Sequence, residues 1–229
     1  FSEDLDFSLL TKDKSFNLDP YNKAIAKELE AFGFKAKVDT KIKQLESDIT
    51  SAFIKAESKT QLITIEAPSN IIKNIHHMQT IKIKMEVDTN PPGLFSTETK
   101  FLLQPIPFSV KSFTEPDLFA GKIHALLCRP WVQRVKGRDW YDFAWYISRN
   151  TPVNLSHLQK RLVQTNAWQA KGALSKNNLF DIFIQKIEET DFDQAKADIS
   201  PFIKDSSNID IWSKEFFKEI LKKINVIAN

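Results

Sequence analysis

A single cysteine, Cys128, excludes an intrachain disulfide and suits a reducing compartment. No run approaches the ~20 apolar residues of a membrane-spanning helix, and no secretory signal pattern is visible. A cytoplasmic protein with no membrane segment is therefore expected. Neither sign of charge dominates: 32 Lys and Arg oppose 29 Asp and Glu, for a net charge of +3. So mild a balance does not identify a nucleic-acid binder, and any basic patch has to be local. Glycine is scarce at five residues. The sequence contains no P-loop, no G-x-G-x-x-G turn and no serine elbow, which removes those readings. Aromatics are plentiful. Eighteen Phe and five Trp can fill a substantial core in a chain of 229 residues, long enough for one large domain or two modest ones.

The first half reads mainly as strands and the second as helices. Strands are expected over 6–10, 35–42, 49–55 and 61–66, the last two joined by the polar turn 57–59. A helix over 19–34 carries Ile25, Leu29 and Phe32 at helical spacing and ends at Gly33. Residues 80–88 alternate strictly, with Ile81, Ile83, Met85 and Val87 on one face and Lys82, Lys84, Glu86 and Asp88 on the other. "NPPG" at 90–93 breaks that strand, and 101–113 reads as extended. Helices follow over 116–128, 138–149, 155–165, 179–190 and 209–226. The fold class is α+β: a mixed β-sheet domain with flanking helices over 1–113, then a helical domain over 114–229.

Four stretches carry the chemistry. In "EDLD", residues two apart share a strand face, so Asp4 and Asp6 point the same way with Leu5 opposite. Their Cα atoms lie ~6.6 Å apart at the usual rise, close enough for both carboxylates to reach one hard cation such as Mg²⁺. A solvated strand start is the commoner meaning of a lone Asp-x-Asp. In "KIKMEVD", Glu86 is a candidate third carboxylate from a neighbouring strand, with Lys84 on the same face. A two-metal site, its ions about 3.5–4 Å apart, needs such a set, but an ordinary half-exposed strand gives the same pattern. In "TEPDLFAGKIHALLCR", Thr114 and Asp117 form a start like a capping box, and Phe119, Ile123 and Leu126 form a buried stripe. Lys122 borders that stripe, either as a snorkelling surface lysine or as one reaching a polyphosphate. In "RVKGRDWYDFAWY", Arg134, Lys136 and Arg138 crowd a helix start, Asp139 and Asp142 share a face, and Trp140 and Phe143 can face the core. A structural ion-pair network and a phosphate site both fit. His124 reads as exposed or helix-packed, with no metal role, the pair His76–His77 as loop, and Cys128 as a buried structural thiol.

Taken in this order, "FSEDLDFSL", "KMEVD", "EPDLFAGKIHALLCR" and "KGRDWYDFAWY" resemble the AbiEii/AbiGii toxin family of nucleotidyltransferases, within the DNA polymerase β-like superfamily. The resemblance runs from Phe1 to about Tyr146. It implies that Asp4 and Asp6 are the paired metal ligands and catalytic carboxylates of the first motif. Glu86 is then the third carboxylate, with Lys84 beside it. Asp117 and Lys122 form the third motif, Lys122 on the nucleotide phosphates, and Arg138, Asp139 and Asp142 form the fourth, ordering the site. It further implies Mg²⁺ or Mn²⁺ as cofactor and a nucleoside triphosphate as substrate, GTP or a pyrimidine nucleotide. An RNA acceptor such as tRNA, a cognate antitoxin and a role in toxin–antitoxin or phage-defence systems complete the expectation. The family's first motif also includes a Gly-Gly or Gly-Ser pair on a preceding helix that cradles the triphosphate. This sequence opens on Phe1, inside a strand candidate, so residues are expected to precede it. The alternatives are a non-catalytic nucleotide- or partner-binding protein on the same scaffold and a metal-dependent nuclease. The order Lys84 then Glu86 argues against the nuclease.

Overall fold

A computed structural model describes residues 5–33, 35–39, 58–66, 80–129, 135–169 and 172–228. The fold is α+β. The chain forms two compact units, Phe1–Pro91 and Pro92–Asn229.

In the first unit, β1 (Leu5–Ser8) lies beside β4 (Thr80–Asp88), followed by β3 (Ser58–Glu66) and β2 (Lys35–Asp39), in the order β1-β4-β3-β2. The sheet is mixed. β1 runs parallel to β4, while β3 is antiparallel to both β4 and β2. α1 (Asp19–Ala31) opens with Pro20 in its first turn, where the missing N–H is harmless. It ends before Gly33, whose φ of +83° suits a residue without Cβ. Ile25 and Leu29 of α1 pack with Leu18, Met85 and Val87, so helix spacing on α1 and alternation on β4 meet in one small cluster. Ser58 and Lys59, expected in a turn, extend β3 instead, opposite Asp88 and Val87 of β4. The strand expected over 49–55 lies outside the described residues.

The second unit begins with a hairpin, β5 (Thr97–Leu102) and β6 (Phe108–Phe113). The sequence reading groups this hairpin with the first domain. Its base is tied into the second unit instead: the Phe95 and Phe113 rings meet, tilted, at 4.3 Å and both meet the His157 ring edge-on. Helices α2 (Glu115–Cys128), α3 (Gly137–Ser148), α4 (Leu155–Gln164), α5 (Lys176–Glu189), α6 (Phe192–Ile199) and α7 (Lys214–Leu221) follow. The two-residue strands β7 (Val153–Asn154) and β8 (Val226–Ile227) pair in parallel.

One core joins these helices. Trp140 meets Phe192 at 5.0 Å and Phe217 at 4.6 Å, and Phe143 meets Phe183 at 4.8 Å. All of these rings are buried. Gly137 is required where α3 starts. A Cβ there would sit 2.0 Å from the Ala195 carbonyl oxygen on α6.

The long helix expected over 209–226 is not formed. A 3₁₀ turn, Ser206–Ile209, precedes a break, and Ser213 starts α7 afresh by accepting a hydrogen bond from the Phe216 N–H. The side-chain cap offers the backbone an alternative to a continuous helix. α6 was not anticipated. Asp191 caps it, accepting from the backbone of Asp193 and Gln194.

Candidate functional site

The candidate carboxylates of the first unit sit on two neighbouring strands. The parallel register pairs Asp6 with Glu86, flanked by Leu5 with Met85 and Phe7 with Val87. Register partners in a parallel pair project from the same face and lie about 4.8 Å apart. Asp6 and Glu86 therefore share one face of the sheet, while Met85 and Val87 are buried on the other. The sheet is amphipathic because the sequence alternates, and the carboxylates meet because β1 and β4 are adjacent. Asp6 is exposed and Glu86 half-buried, so both are reachable from solvent. Lys84 lies on the Glu86 face of β4, opposite Leu62 of β3; its side chain and all of Asp4 lie outside the described structure. Asp88 is engaged locally, accepting from the Asn90 N–H at 2.9 Å. Among the described residues no group of three or more His, Cys, Asp or Glu is placed to hold a metal ion. The two carboxylates in register are hard oxygen donors, the type that Mg²⁺ and Mn²⁺ take.

In the second unit, α2 and α3 face each other across two ion pairs. Lys122 Nζ lies 2.7 Å from Asp142 Oδ2, and Arg129 donates to Asp139. Asp139 and Asp142 are three apart on one face of α3, where they meet Lys122 of α2 and Arg129 just past the end of α2. Burial raises the Asp139 pKa, opposed by Arg129 and, more weakly, by Lys136 and Lys122. Half of the Lys122 side chain stays exposed. Arg138 lies over the Phe202 ring at 5.0 Å. Arg134, Trp131 and the pair His76–His77 lie outside the described residues.

Asp117 is buried, 1% exposed, and its carboxylate is spent within the fold. It accepts from the Thr114 hydroxyl at 2.6 Å, the Ser96 N–H at 2.9 Å and the Asn154 amide at 2.8 Å. Thr114 is the residue before α2, as expected, but Asp117 reaches across to Ser96 and Asn154 rather than back to the Thr114 backbone N–H, which donates to the Ser96 carbonyl. Asn154 also donates to the Leu94 carbonyl and caps α4 through the His157 N–H.

His157 was missed by sequence reasoning. One ring nitrogen, Nδ1, meets the Gly93 carbonyl at 2.7 Å, and Nε2 accepts from Arg161 Nε at 2.9 Å. Those partners fix the neutral tautomer with the proton on Nδ1, and burial lowers its pKa. No local pattern flags His157, because Gly93 is 64 positions away. His124 contacts the Thr165 hydroxyl at 3.1 Å, and burial lowers its pKa to about 4. Cys128 is partly buried and burial raises its pKa, so it lacks thiolate character. No helix among the described residues is long and apolar enough to cross a membrane.

A family model described as "Nucleotidyl transferase AbiEii toxin, Type IV TA system" matches residues 1–222. No curated protein matches the chain. The family match spans nearly the whole chain, and the chain belongs to the AbiEii family of nucleotidyl transferase toxins of type IV toxin–antitoxin systems.

Proposed function

We propose that the protein transfers a nucleotide from a nucleoside triphosphate, GTP or a pyrimidine nucleotide, to a hydroxyl of an RNA acceptor, with tRNA the first candidate. The observation that carries this reading is the register of Asp6 against Glu86 on one open face of the sheet. Membership of a nucleotidyl transferase family supports this reading of that face. Asp6 and Glu86, with Asp4 two residues before Asp6, would hold Mg²⁺ or Mn²⁺. When bound, such an ion neutralises charge developing on the transferred phosphate and lowers the pKa of the attacking hydroxyl.

The chain's own groups have separate tasks. Asp4 and Asp6 supply carboxylate oxygens from the first strand. Glu86 accepts the proton of the acceptor hydroxyl as general base. Lys122 engages the triphosphate by exchanging part of its contact with Asp142 for phosphate oxygens, and Lys84 and Arg138 add positive charge. Asp139 and Asp142 hold Arg129 and Lys122 in place. We assign Asp117 a positioning role, because its buried carboxylate is engaged by three donors of its own fold. A cognate antitoxin is implied by the family, and phage defence is the proposed setting.

The test is transfer of label from each α-labelled nucleoside triphosphate in turn to total bacterial tRNA, with Mg²⁺ and with chelator. Label on RNA that disappears with chelator and in Asp6→Asn supports the reading. Binding of nucleotide without transfer to any acceptor would favour a non-catalytic nucleotide-binding protein. RNA cleavage with no nucleotide requirement would favour a nuclease.

A further inference from the structure

The hairpin β5–β6 presents an open edge and an apolar tip. Every residue of β5 is exposed, and among the described residues β5 pairs with β6 alone. At the tip, Phe101 is 74% exposed, Leu103 72% and Ile106 60%, with Leu102 and Phe108 also in solvent. An exposed apolar patch of this kind marks an interaction surface. A two-stranded hairpin is marginal by itself, and an open strand edge is a template for pairing with another chain.

The register shows which partner the edge fits. The Thr114 N–H donates to the Ser96 carbonyl at 3.1 Å, so the Ser96 backbone points at β6. Antiparallel ladders alternate, so Glu98, Lys100 and Leu102 point the same way. Thr97, Thr99 and Phe101 therefore turn their N–H and C=O groups to the open edge. Two copies related by a twofold axis can pair along this edge with the axis at 98, 99 or 100. An axis at Glu98 sets Glu98 against itself, and an axis at Lys100 sets Lys100 against itself. Like charges directly opposite are unfavourable. An axis at Thr99 sets Thr99 opposite Thr99, Thr97 opposite Phe101, and Glu98 opposite Lys100 twice. It also places the outward-facing residues 97, 99 and 101 in the hydrogen-bonded pairs. Glu98 and Lys100 project from one face of β5, where within one copy Lys100 Nζ lies 3.1 Å from Glu98 Oε1. The same register carries Leu103 opposite Phe95 of the second copy, next to its exposed Leu94. A lone lysine on an edge strand guards against pairing. Here Glu98, two residues away, removes that guard in one register only.

We propose that the protein forms a twofold dimer by antiparallel pairing of β5 with β5 of a second copy, centred on Thr99 and held in register by reciprocal Glu98–Lys100 pairs. Sedimentation velocity of the full chain over a wide concentration range tests it. The expected result is a concentration-dependent dimer that Glu98→Lys or Lys100→Glu weakens roughly tenfold, each single change setting like charges opposite one another. The double change E98K/K100E restores the dimer. Because these positions are exposed, the variants keep the fold, which circular dichroism checks. As a second readout, Thr99→Cys in a Cys128→Ser background forms a symmetric intermolecular disulfide on mild oxidation. A monomer at every concentration, a dimer indifferent to both charge reversals, or a double change no better than the singles would overturn the proposal.

Discussion

Among the described side chains, the apolar core of the first unit is the small cluster of Leu18, Met85 and Val87, and Asp6 lies in solvent. The second buries a continuous core around Trp140, Phe183 and Phe217 and encloses Asp117, Asn154 and His157 within it. The two regions treat charge differently for a physical reason. A carboxylate meant to gather a divalent cation has to stay ionised and reachable, so it sits on the open face of a strand. A buried carboxylate such as Asp117 survives only when donors surround it, and it then serves the fold. Among the described residues, the proposed metal-binding carboxylates lie in the unit with the smaller apolar core.

The largest effect should come from the core of the second unit. Phe217→Ala is expected to cost about 3–5 kcal/mol in chemical denaturation, and Gly137→Ala should be comparably severe, because α3 and α6 have to separate to admit the Cβ. A loss under 1 kcal/mol in both would break the comparison. Next comes His124. Its folded pKa of about 4 lies below the usual 6.5, so the unfolded chain binds the proton first as pH falls. The associated stability is complete above about pH 6.5 and disappears toward pH 4. It amounts to about 3 kcal/mol, and His157, shifted the same way, adds to the slope. Melting temperature against pH should fall less steeply in His124→Gln over that window. An unchanged slope would place the sensitivity elsewhere.

Smaller effects sharpen the contrast. Asp117→Ala strips the Ser96 N–H and the Asn154 amide of an acceptor and should cost ~1–3 kcal/mol, measured by urea denaturation. Lys122→Met should change stability by less than about 1 kcal/mol, since its pair with Asp142 is partly exposed, while raising KM for the nucleoside triphosphate. A stability loss with KM unchanged would make Lys122 a structural residue.

Much of this was legible in the sequence where one residue's role depends on near neighbours. The alternation of "TIKIKMEVD" defines β4 end to end, and the apolar stripe of Phe119, Ile123 and Leu126 defines the buried side of α2. What was not legible depends on distant partners. Ile209, Trp212, Phe216, Ile220 and Ile224 keep helical spacing, yet Ser213 interrupts them, because a cap and a continued helix compete for the same backbone groups. Asp117 reads as a helix-start residue or a nucleotide contact, and its true neighbours are Ser96 and Asn154, 21 and 37 positions away. The pairing of Asp6 with Glu86 spans most of the first unit and follows from strand order, which alternation alone does not set.

The central claim is that the carboxylates of β1 and β4 carry the chemistry and little of the stability. The most direct measurement compares nucleotide transfer to RNA and melting temperature side by side for the wild type, Asp6→Asn and Glu86→Gln. The account predicts a fall in transfer of about 10²–10⁴-fold for Glu86→Gln, a loss at least as large for Asp6→Asn, and melting temperatures within roughly 2 °C of wild type. Transfer that persists in both variants, or a loss accompanied by unfolding, would contradict it.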